Sequence, residues 1–514
     1  MLKNILPLDH ALHKRATQTP HRIFIKFQGK KYSCQCIDQR ANTYAAFLIR
    51  HDMKSGEKVA LLSHNCPDYI AAYFGIIRGG GIVLPLNNLL THEEIDYILK
   101  DARVKICLYD TDCTGTVQKL LGTNSRSFIP LTQIADTELS SDPSETYQPS
   151  QHTADDISTV LYTSGTTGRP KGALLTHRNI LVNAQSATQV FKITHKDRFI
   201  VFLPLFHSFT YTVCVIIPLI TGAMISLLPA VRPFSRVVKS LIVDRITLFI
   251  AIPTIYKILA EKNMPFIIKL LLNLRVCISG AAPLPINVIR EFEAAFKVPL
   301  LEGYGLTEAS PVVSVNPLDF KKSKPGTVGL PLPGIEVKIV DDSGMPLPPD
   351  TPGELIVKGP NVMQGYLNKP EETAKTIKDG WLYTGDIASL DETGYIKIID
   401  RKKDMIIVDG LNVYPYEVEE VLHRYPGIQD CAMIGVPHEH EEGKELAIMY
   451  VVLQDGANVT PKALREYLSE HVAHYKIARR FIFATDLPRN ATGKIMKKEL
   501  RNWYREKELK HPPT

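Results

Sequence analysis

Apolar runs of strand length alternate with amphipathic stretches of helix length over residues 22–305. RIFIKFQ, EKVALLS, GGIVLPL and VKICLYD predict strands, and CIDQRANTYAAFLIRHD, CPDYIAAYFGIIRG and THEEIDYILKDA predict helices between several of them. The pattern continues with strands predicted at AMISLLP, TLFIAI and LRVCISG and with a helix predicted from Ile286 to Phe296. Because connecting helices cover the faces of a sheet, this alternation predicts a layered α/β body with mainly parallel strands.

The pattern changes after Pro325, where GIEVKIV, GELIVKG, LYTGDIASL and GYIKIIDR predict short strands separated by glycine, proline and aspartate. After Asp400, strands and three predicted helices mix in a module of about 110 residues, which is an ordinary domain size. We therefore predict an α/β protein with a large multi-layer N-terminal domain over residues 1–400, which includes a β-rich subdomain over about 325–400. A small α+β C-terminal domain is predicted over residues 401–514.

The stretch YTSGTTGRPKGALLTH, residues 162–177, combines hydroxyl side chains, glycines and two fixed positive charges. Glycines let backbone N–H groups converge on an anion, and hydroxyls with a lysine add donors for phosphate oxygens. A strand is predicted before the glycines and a helix, ALLTHRNILVNAQSA, after them, which is the usual setting for a phosphate. The G-x-x-x-x-G-K-[ST] pattern of the common nucleotide loop is absent, and the alternative is a surface turn without a ligand. The candidate phosphate-binding residues are Thr163, Ser164, Gly165, Thr166, Thr167, Gly168 and Lys171.

The composition narrows the classes of function. Lys and Arg number 60 against 54 Asp and Glu, an excess too small to support nucleic-acid binding. The excess is concentrated after Lys476, where it suits a phosphorylated ligand, peripheral contact with an anionic membrane, or a solvated helix face. The eight cysteines form no C-x-x-C pair, as expected for a protein of the reducing cytoplasm. Charges interrupt the apolar residues at the start of the chain, so no signal peptide is predicted.

The longest apolar stretch, residues 199–229, has the length of a membrane span. Pro204, His207, Pro218 and Gly222 divide it into pieces of strand length and helix length. We therefore predict a buried strand, a loop, a helix and a second strand, and we reject the span. A membrane transporter is a low-ranked alternative that rests on this stretch alone.

Six further motifs, far apart in the chain, add to the evidence from the glycine-rich stretch. They are PLFHSF (204–209), SGAAPL (279–284), EGYGLTE (302–308), YTGD (383–386), GYIKIIDRKKDMIIVDGLNVYP (394–415) and PRNATGK (488–494). Their identity and order resemble the adenylate-forming superfamily, and the chain is most similar to its bacterial fatty acyl-CoA synthetases. The resemblance implies that a carboxylate attacks the α-phosphorus of ATP, expels pyrophosphate, and then passes from AMP to a thiol. Such phosphoryl transfer requires mainly positioning and charge neutralisation.

The resemblance also implies a role for single residues in the ATP chemistry. Glu308 and Thr163 would bind Mg²⁺, Thr307 would contact the α-phosphate, and Lys494 would stabilise the charge of adenylation. The residues implied to bind the adenosine part are Gly280, Ala281, Ala282, Tyr304, Gly305, Asp386 and Arg401. From the residues alone, Glu308 is also consistent with a solvated loop carboxylate, and Tyr304 with a core aromatic.

Other implied residues concern the acyl group, the hinge and the thiol. His207 would form an aromatic wall or gate near the acyl group, although a lone histidine in an apolar run is more often a core residue. Lys403 corresponds to a hinge, about which the C-terminal domain would exchange Lys494 for Gly410, Leu411 and Asn412, the predicted CoA tunnel. Asp409 departs from the family pattern of Ser or Gly and leaves the thiol acceptor open.

The expected function is an ATP- and Mg²⁺-dependent ligase that joins a medium- or long-chain fatty acid to CoA. Phe202, Leu205, Phe206, Phe209 and Tyr211 around His207 favour an apolar pocket for the acid. The alternatives are transfer to an acyl carrier protein, activation of an aryl acid such as coumarate, and a silent relative that only binds acyl groups or nucleotide. A homodimer stays possible, because the sequence does not indicate the oligomeric state.

Overall fold

The computed structural model describes residues 6–121, 126–135, 152–163, 170–261, 266–319, 321–408, 411–437, 445–489 and 493–510. The chain divides into two compact units. The first comprises Met1–Gly280, Ile286–Glu336 and Val357–Leu382, and the second comprises Ala281–Pro285, Val337–Ile356 and Tyr383–Thr514. The predicted domain boundary at residue 400 stays a prediction. No helix within the described ranges has both the length and the hydropathy that crossing a bilayer requires.

The strands are numbered in chain order. They are β1 Ile23–Phe27, β2 Lys30–Ser33, β3 Lys58–Leu62, β4 Ile82–Pro85, β5 Ile106–Tyr109, β6 Ser127–Pro130, β7 Ile157–Thr163, β8 Lys171–Thr176, β9 Arg198–Val201, β10 Met224–Leu227, β11 Leu248–Ala251, β12 Val276–Ser279, β13 Leu300–Gly305, β14 Val312–Val315, β15 Leu330–Pro331, β16 Glu336–Val340, β17 Gly353–Lys358, β18 Gly365–Tyr366, β19 Ile377–Lys378, β20 Trp381–Leu390, β21 Ile396–Arg401, β22 Ile406–Val408, β23 Leu411–Val413, β24 Ile428–Pro437, β25 Glu445–Leu453 and β26 Arg480–Phe483.

The α-helices follow the same numbering. They are α1 Leu8–Gln18, α2 Cys34–Arg50, α3 Pro67–Arg78, α4 His92–Asp101, α5 Thr114–Leu120, α6 Leu131–Ala135, α7 His177–Phe191, α8 Ser208–Tyr211, α9 Ile217–Thr221, α10 Phe234–Val243, α11 Pro253–Glu261, α12 Phe266–Leu271, α13 Ile286–Phe296, α14 Pro370–Thr376, α15 Pro415–Leu422, α16 Pro461–His471 and α17 Lys497–Lys510. Single 3₁₀ turns at Thr111–Cys113, Thr307–Ala309 and His474–Lys476 and a π-helical turn at Thr212–Ile216 complete the helical residues.

Two mainly parallel sheets form the first unit. One has the order β15-β14-β13-β12-β11-β9-β10-β1-β2, and the other has the order β18-β8-β7-β4-β3-β5-β6. Parallel pairing holds from β1 through β10, β9, β11 and β12 to β13, and again from β7 through β4, β3 and β5 to β6. Antiparallel strands β2, β14, β15, β8 and β18 lie towards the edges. The predicted α/β class is therefore confirmed.

The central strands are mainly apolar because both of their faces are covered. All four side chains of β11 (LFIA) and all four of β12 (VCIS) are buried, as expected for parallel strands between helices. The apolar stretch 199–229 folds as predicted into β9, a loop, a broken helix and β10. Pro218 lies in the first turn of α9, and Gly222 adopts the left-handed conformation that ends this helix.

The second unit contains most of β16, β17 and β20, followed by a small α+β module. β20 and β21 form an antiparallel pair. In the module, β24 and β25 pair antiparallel and β26 joins β25 in parallel. Alternate residues of β24 enter two cores, with Cys431 and Met433 packed beneath α15 and α16 residues, and Ala432 and Ile434 packed with residues of α17. The sheet is thus covered on both faces.

Candidate functional site

The glycine-rich stretch joins two antiparallel strands, which corrects the predicted strand-to-helix turn. Thr163 ends β7, Lys171 begins β8, and the two residues are register partners. The apolar residues after Lys171 belong to β8, because short apolar runs do not distinguish a strand from a buried helix. Thr176 then caps α7 by accepting a hydrogen bond from the Asn179 backbone N–H. Ser164, Gly165, Thr166, Thr167 and Gly168 lie outside the described residues.

Glu308 lies in the 3₁₀ turn that follows β13, and two hydroxyl groups hold its carboxylate. Its Oε1 accepts a hydrogen bond of 2.9 Å from the Tyr366 hydroxyl and one of 3.3 Å from Thr163 Oγ1. Its backbone carbonyl accepts a further bond of 2.9 Å from the Met363 N–H. The structure therefore brings Thr163 and Glu308 together at the ends of β7 and β13.

Lys171 places a positive charge near Glu308, and its side chain is largely buried. Its Nζ forms an ion pair with the carboxylate of Glu372 and lies 5.5 Å from the centre of the Tyr366 ring. Hydrogen bonding to Lys171 lowers the pKa of Glu372. Burial, followed by the charge of Glu308, raises the pKa of Tyr366, so its hydroxyl stays protonated and able to donate.

Tyr366 and Glu372 are site residues that the sequence alone does not reveal. The sequence QGYLNKPEETAK around them is typical of a strand end followed by a helix with Pro370 and acidic residues in its first turn. Their link to Glu308 and Lys171 arises only because β18 pairs with β8, where Tyr366 is the partner of Ala173.

Thr307 and His207 lie at neighbouring positions of the first unit. The hydroxyl groups of Thr307 and Ser208 are 3.4 Å apart. Burial lowers the pKa of His207 to about 4, so the imidazole is neutral at pH 7. Its Nε2 is buried and has no hydrogen-bond partner among the described residues, and its ring centre lies 4.4 Å from that of Phe206.

A small cavity of about 10 Å³, which is the room of about one water molecule, lies beside His207. Leu161, Leu175, Ile180 and Phe206 form apolar parts of its lining. Tyr211 also lines it and stacks on Tyr73 with ring centres 3.9 Å apart. The Tyr211 hydroxyl is buried and, like His207 Nε2, lacks a partner within the described part of the chain.

Of the apolar residues predicted to surround the acid, three line the cavity and two pack elsewhere. Leu205, Phe206 and Tyr211 line the cavity. Phe202 instead packs against Phe249 in the core, with ring centres 5.6 Å apart. The Phe209 ring lies against Gly280, where an added Cβ would come within 3.0 Å of it.

The remaining predicted residues of the first unit lie at the ends of β12 and β13. Gly280 directly follows β12, and Tyr304 and Gly305 end β13. Gly305 approaches the neighbouring chain so closely that an added Cβ would lie 2.2 Å from the Pro311 carbonyl oxygen. Only glycine fits at this position without a shift of the backbone. Ala281, with φ of 70°, and Ala282 belong to the second unit.

In the second unit, Asp386 and Arg401 face each other across the β20–β21 ladder, where they are register partners. Arg401 Nε lies 2.7 Å from the buried Asp386 Oδ1, so the pair predicted for the ribose is preformed. The Gly385 N–H donates to Glu354 Oε1 over 3.1 Å, which fixes the strand just before Asp386.

Lys494 lies in the turn between β26 and α17. The turn is closed by a bridge between Arg489 and Ile495 and by a bond of 2.6 Å from Arg489 to the Gly493 carbonyl. Desolvation, followed by repulsion from Arg401, lowers the pKa of Lys494 to about 8, while Asp386 opposes the shift. A lysine with so low a pKa still carries its charge at pH 7 and loses it in mildly alkaline solution.

The predicted hinge and tunnel residues also lie in the second unit. Desolvation lowers the pKa of Lys403. Its neighbour Asp404 is bound by Arg501 of α17 over 2.9 Å, which anchors this segment to the module. Leu411 and Asn412 are exposed on β23, opposite Val408 and Ile407 of β22. Asp409 and Gly410 lie outside the described residues.

Comparisons with known proteins identify the same family as the sequence motifs. Residues 12–367 match the family model of the AMP-binding enzymes, and residues 417–494 match the AMP-binding enzyme C-terminal domain. The chain is 34% identical to a long-chain-fatty-acid–CoA ligase of Bacillus subtilis over 96% of its length and 94% of that protein. It is 33% identical to a feruloyl-CoA synthase of an Amycolatopsis species over 96% of its length and 98% of that protein.

Solved structures show the same fold. ATP-bound MatB from Rhodopseudomonas palustris superposes with a TM-score of 0.89 at 32% identity, covering 97% of this chain and 99% of that one. An o-succinylbenzoate CoA synthetase from Bacillus subtilis, solved with its acyl-adenylate intermediate, gives a TM-score of 0.84 at 28% identity and covers 96% of this chain and 98% of its own.

Proposed function

Because the chain belongs to the family of AMP-binding enzymes, we propose that it is an acyl-CoA synthetase for medium- or long-chain fatty acids. The coarser activity follows from the family and its curated relatives, which are AMP-forming acid–CoA ligases that use ATP and CoA. The identity of the acid, the thiol acceptor and the roles of single residues belong to the proposal.

One observation carries the ATP chemistry, namely that the Glu308 carboxylate and the Thr163 hydroxyl meet at 3.3 Å. The two residues are 145 positions apart in the chain, and both follow the carboxyl ends of strands, where ligands of α/β proteins bind. A carboxylate and a hydroxyl are hard oxygen ligands, which Mg²⁺ prefers when it also binds phosphate oxygens. These residues therefore fit a Mg²⁺ ion that, when bound, neutralises phosphate charge.

The chain's own residues then serve the two half-reactions. Lys171 binds phosphate oxygens of ATP after it leaves Glu372, and Thr307 orients the α-phosphate. The Asp386–Arg401 pair holds the ribose through the carboxylate. Lys494 stabilises the negative charge that develops when the acid attacks the α-phosphorus and pyrophosphate leaves. In the second step the thiol attacks the acyl carbon and AMP leaves.

The apolar lining beside His207 supports a fatty acid as the substrate. Leu161, Leu175, Ile180 and Phe206 offer aliphatic and aromatic surface. Because the cavity holds only about one water molecule, a long chain requires side-chain movement or a path beyond the cavity. In this proposal the neutral His207 ring acts as a wall for the acyl group, and its lowered pKa makes it a weak base.

The Tyr211 hydroxyl and His207 Nε2, which have no partner among the described residues, favour a second candidate, an aryl acid with a phenolic hydroxyl. A buried polar atom without a partner is costly, and a purely aliphatic chain leaves both atoms unsatisfied. A hydroxylated ring satisfies at least one of them, and the similarity to a feruloyl-CoA synthase is consistent with this chemistry.

The test is pyrophosphate release measured across saturated acids of graded length and across aryl acids with and without a phenolic hydroxyl. We expect the highest kcat/KM for a fatty acid, unchanged or improved in Tyr211→Phe. Ile180→Ala, which enlarges the cavity, should shift the preference to longer chains, whereas the control Phe202→Leu should leave the order of acids unchanged. A preference for phenolic acids that Tyr211→Phe abolishes would establish the second candidate.

The thiol acceptor is tested in the same assay by adding CoA or a phosphopantetheinylated carrier protein. We propose CoA, as used by the curated relatives. Asp409→Gly serves as the probe of the acceptor path. A lower KM for CoA in this variant would show that the acidic side chain obstructs the thiol, and exclusive transfer to the carrier protein would contradict the proposal.

A further inference from the structure

A cluster of a histidine, an aspartate and a cysteine lies in the first unit, among residues to which the ligase chemistry assigns no role. His64 follows β3, Asp110 follows β5, and Cys113 ends the 3₁₀ turn after Asp110. Because β3 and β5 are adjacent parallel strands, with Leu62 opposite Tyr109, their carboxyl ends place these residues side by side. Within the described ranges, no other three residues of these types bring their ligand atoms within 4.8 Å of one another.

The distances approach those of a tetrahedral metal site. His64 Nδ1 lies 3.0 Å from Asp110 Oδ2 and 4.0 Å from Cys113 Sγ. Bonds of about 2.0 Å to nitrogen or oxygen and 2.3 Å to sulfur separate tetrahedral ligands by about 3.3 to 3.7 Å. Shifts of a few tenths of an ångström therefore suffice to place these two pairs of atoms around one ion.

From this geometry we propose that His64, Asp110 and Cys113 bind a divalent cation of borderline softness, with Zn²⁺ as the preferred ion. Nitrogen, carboxylate oxygen and thiolate sulfur form a ligand set that suits Zn²⁺ and does not suit Mg²⁺ or Ca²⁺. A water molecule supplies the fourth ligand, because the His64 side chain is 44% exposed and keeps the site open on one side. Binding releases the thiol proton of Cys113 to solvent and moves the remaining imidazole proton to Nε2.

The surroundings show what the cation would change. The buried Cys113 side chain lies beside the Asp110 carboxylate, and the ligand atoms of the two residues are within 4.8 Å of each other. A dication balances the two negative charges of thiolate and carboxylate, which removes the electrostatic obstacle to ionising Cys113.

The alternative is a cap held by hydrogen bonds alone. Asp110 Oδ1 accepts from the Cys113 N–H over 3.0 Å, and Oδ2 accepts from Ser63 Oγ over 3.0 Å and from the His64 backbone. These bonds orient the carboxylate, as outer-sphere partners do in metal sites. None of these bonds involves the thiol of Cys113, which packs in the core near Val117 and Leu120, and it is this thiol that the experiment addresses.

The experiment uses the full chain without a polyhistidine tag, stripped with EDTA and titrated with Co²⁺, whose thiolate charge-transfer band reports a Co–S bond. We expect one equivalent with this band in the unmodified protein, displacement by Zn²⁺ and no displacement by excess Mg²⁺. Cys113→Ala should lose the band and His64→Gln should weaken binding. Cys107→Ala, at a buried cysteine of β5, and Asp112→Asn, at the exposed neighbour of the cluster, should leave the band unchanged.

A second measurement keeps the test decisive if Cys113→Ala folds poorly. Zn²⁺ should raise the Tm of the unmodified protein and of Cys107→Ala, but not that of His64→Gln, whose half-exposed side chain makes few core contacts. Absence of the band in the unmodified protein would overturn the proposal, as would a band that persists in Cys113→Ala. The latter result would assign the ion to other residues, such as the histidine- and glutamate-rich residues 437–445.

Discussion

The two units treat the charges of their site residues in different ways. In the first unit, the Lys171 cation is paired with Glu372, and the Glu308 carboxylate is held by the hydroxyls of Tyr366 and Thr163. In the second unit, Asp386 is paired with Arg401, but the lysine beside them has its pKa lowered to about 8 by desolvation and by Arg401. The charges of the first region lie in an ion pair and in hydrogen bonds, whereas desolvation and Arg401 disfavour the charge of Lys494 in the second region.

This difference indicates how the work is divided in the proposed reaction. The Glu308 carboxylate serves the ground state of the ATP complex, since Tyr366 and Thr163 orient it in advance, and Lys171 joins it after leaving Glu372. A cation whose charge is disfavoured by a neighbouring cation gains most when negative charge develops close to it, which is the condition for lowering a barrier. The residues of the first unit should therefore affect the KM for ATP and the Mg²⁺ requirement, whereas Lys494 should affect the rate of adenylation.

The largest expected effect follows from Lys494→Ala. Removal of a group that stabilises transition-state charge costs about 10³-fold in rate, so formation of the acyl-adenylate should fall by about this factor. Thioester formation from supplied acyl-AMP should be nearly unchanged, because pyrophosphate no longer leaves in that step. Single-turnover measurements of each half-reaction provide the check, with Lys498→Ala on the exposed face of α17 as the matched control. Equal losses in both half-reactions would refute the proposed division of work.

Tyr366→Phe tests whether the hydrogen bond from Tyr366 orients the Glu308 carboxylate before Mg²⁺ binds. The change removes the 2.9 Å hydrogen bond to Glu308 but keeps the ring beside Lys171. Loss of one hydrogen bond to a charged group costs about 1.5 to 3 kcal/mol, which corresponds to a factor of about ten or more. We expect the Mg²⁺ concentration for half-maximal activity to rise by about tenfold at saturating acid. Tyr32→Phe, at a ring packed with Arg40, serves as the control. An unchanged Mg²⁺ requirement would show that Thr163 alone orients the carboxylate.

The pH dependence of adenylation tests the role of Lys494 in the second unit. Lys494 is charged below its pKa of about 8, so kcat/KM for adenylation should fall above this pH and reach about a tenth of its plateau near pH 9. Lys494→Arg should lower the plateau but move the alkaline limb upward, because a guanidinium keeps its charge. Ionisation of His207 should not change kcat/KM between pH 5 and 8, since its pKa is about 4. An alkaline limb unchanged in Lys494→Arg would assign the ionisation to another group.

The sequence predicts the parts of this comparison that depend on local pattern. Strand–helix alternation predicts the parallel sheets. The motifs predict that Thr163 acts with Glu308 and Asp386 with Arg401, and in the structure the members of each pair are in contact. The prediction from local pattern is wrong at Ala173–Leu175. The apolar run there predicts a helix, but it pairs with the edge of β7 as an antiparallel strand. Tertiary pairing decided this element, because a short apolar run fits either structure.

Pairing across long separations also explains what the sequence hides. Tyr366 and Glu372 are 58 and 64 residues after Glu308 in sequence, within a stretch that predicts only a turn and a capped helix. The lowered pKa of Lys494 likewise requires the positions of Arg401, Lys403 and the surrounding protein, which no local motif specifies. Sequence motifs therefore predict which groups take part, and the fold determines which neighbours shift their charge.

The smallest expected effect, from Glu372→Gln, sharpens the comparison most directly. If Glu372 only occupies Lys171 until phosphate arrives, its neutral isostere frees the lysine, and the KM for ATP should fall by about two- to fivefold with kcat unchanged. The effect is small because Glu372 is partly exposed, and such pairs contribute about 1 kcal/mol or less. Glu371→Gln, at the exposed neighbour in the same helical turn, should leave the KM unchanged. A higher KM in Glu372→Gln would instead show that the carboxylate holds Lys171 in the orientation that ATP requires, so the ion pair would be part of the binding site rather than its competitor.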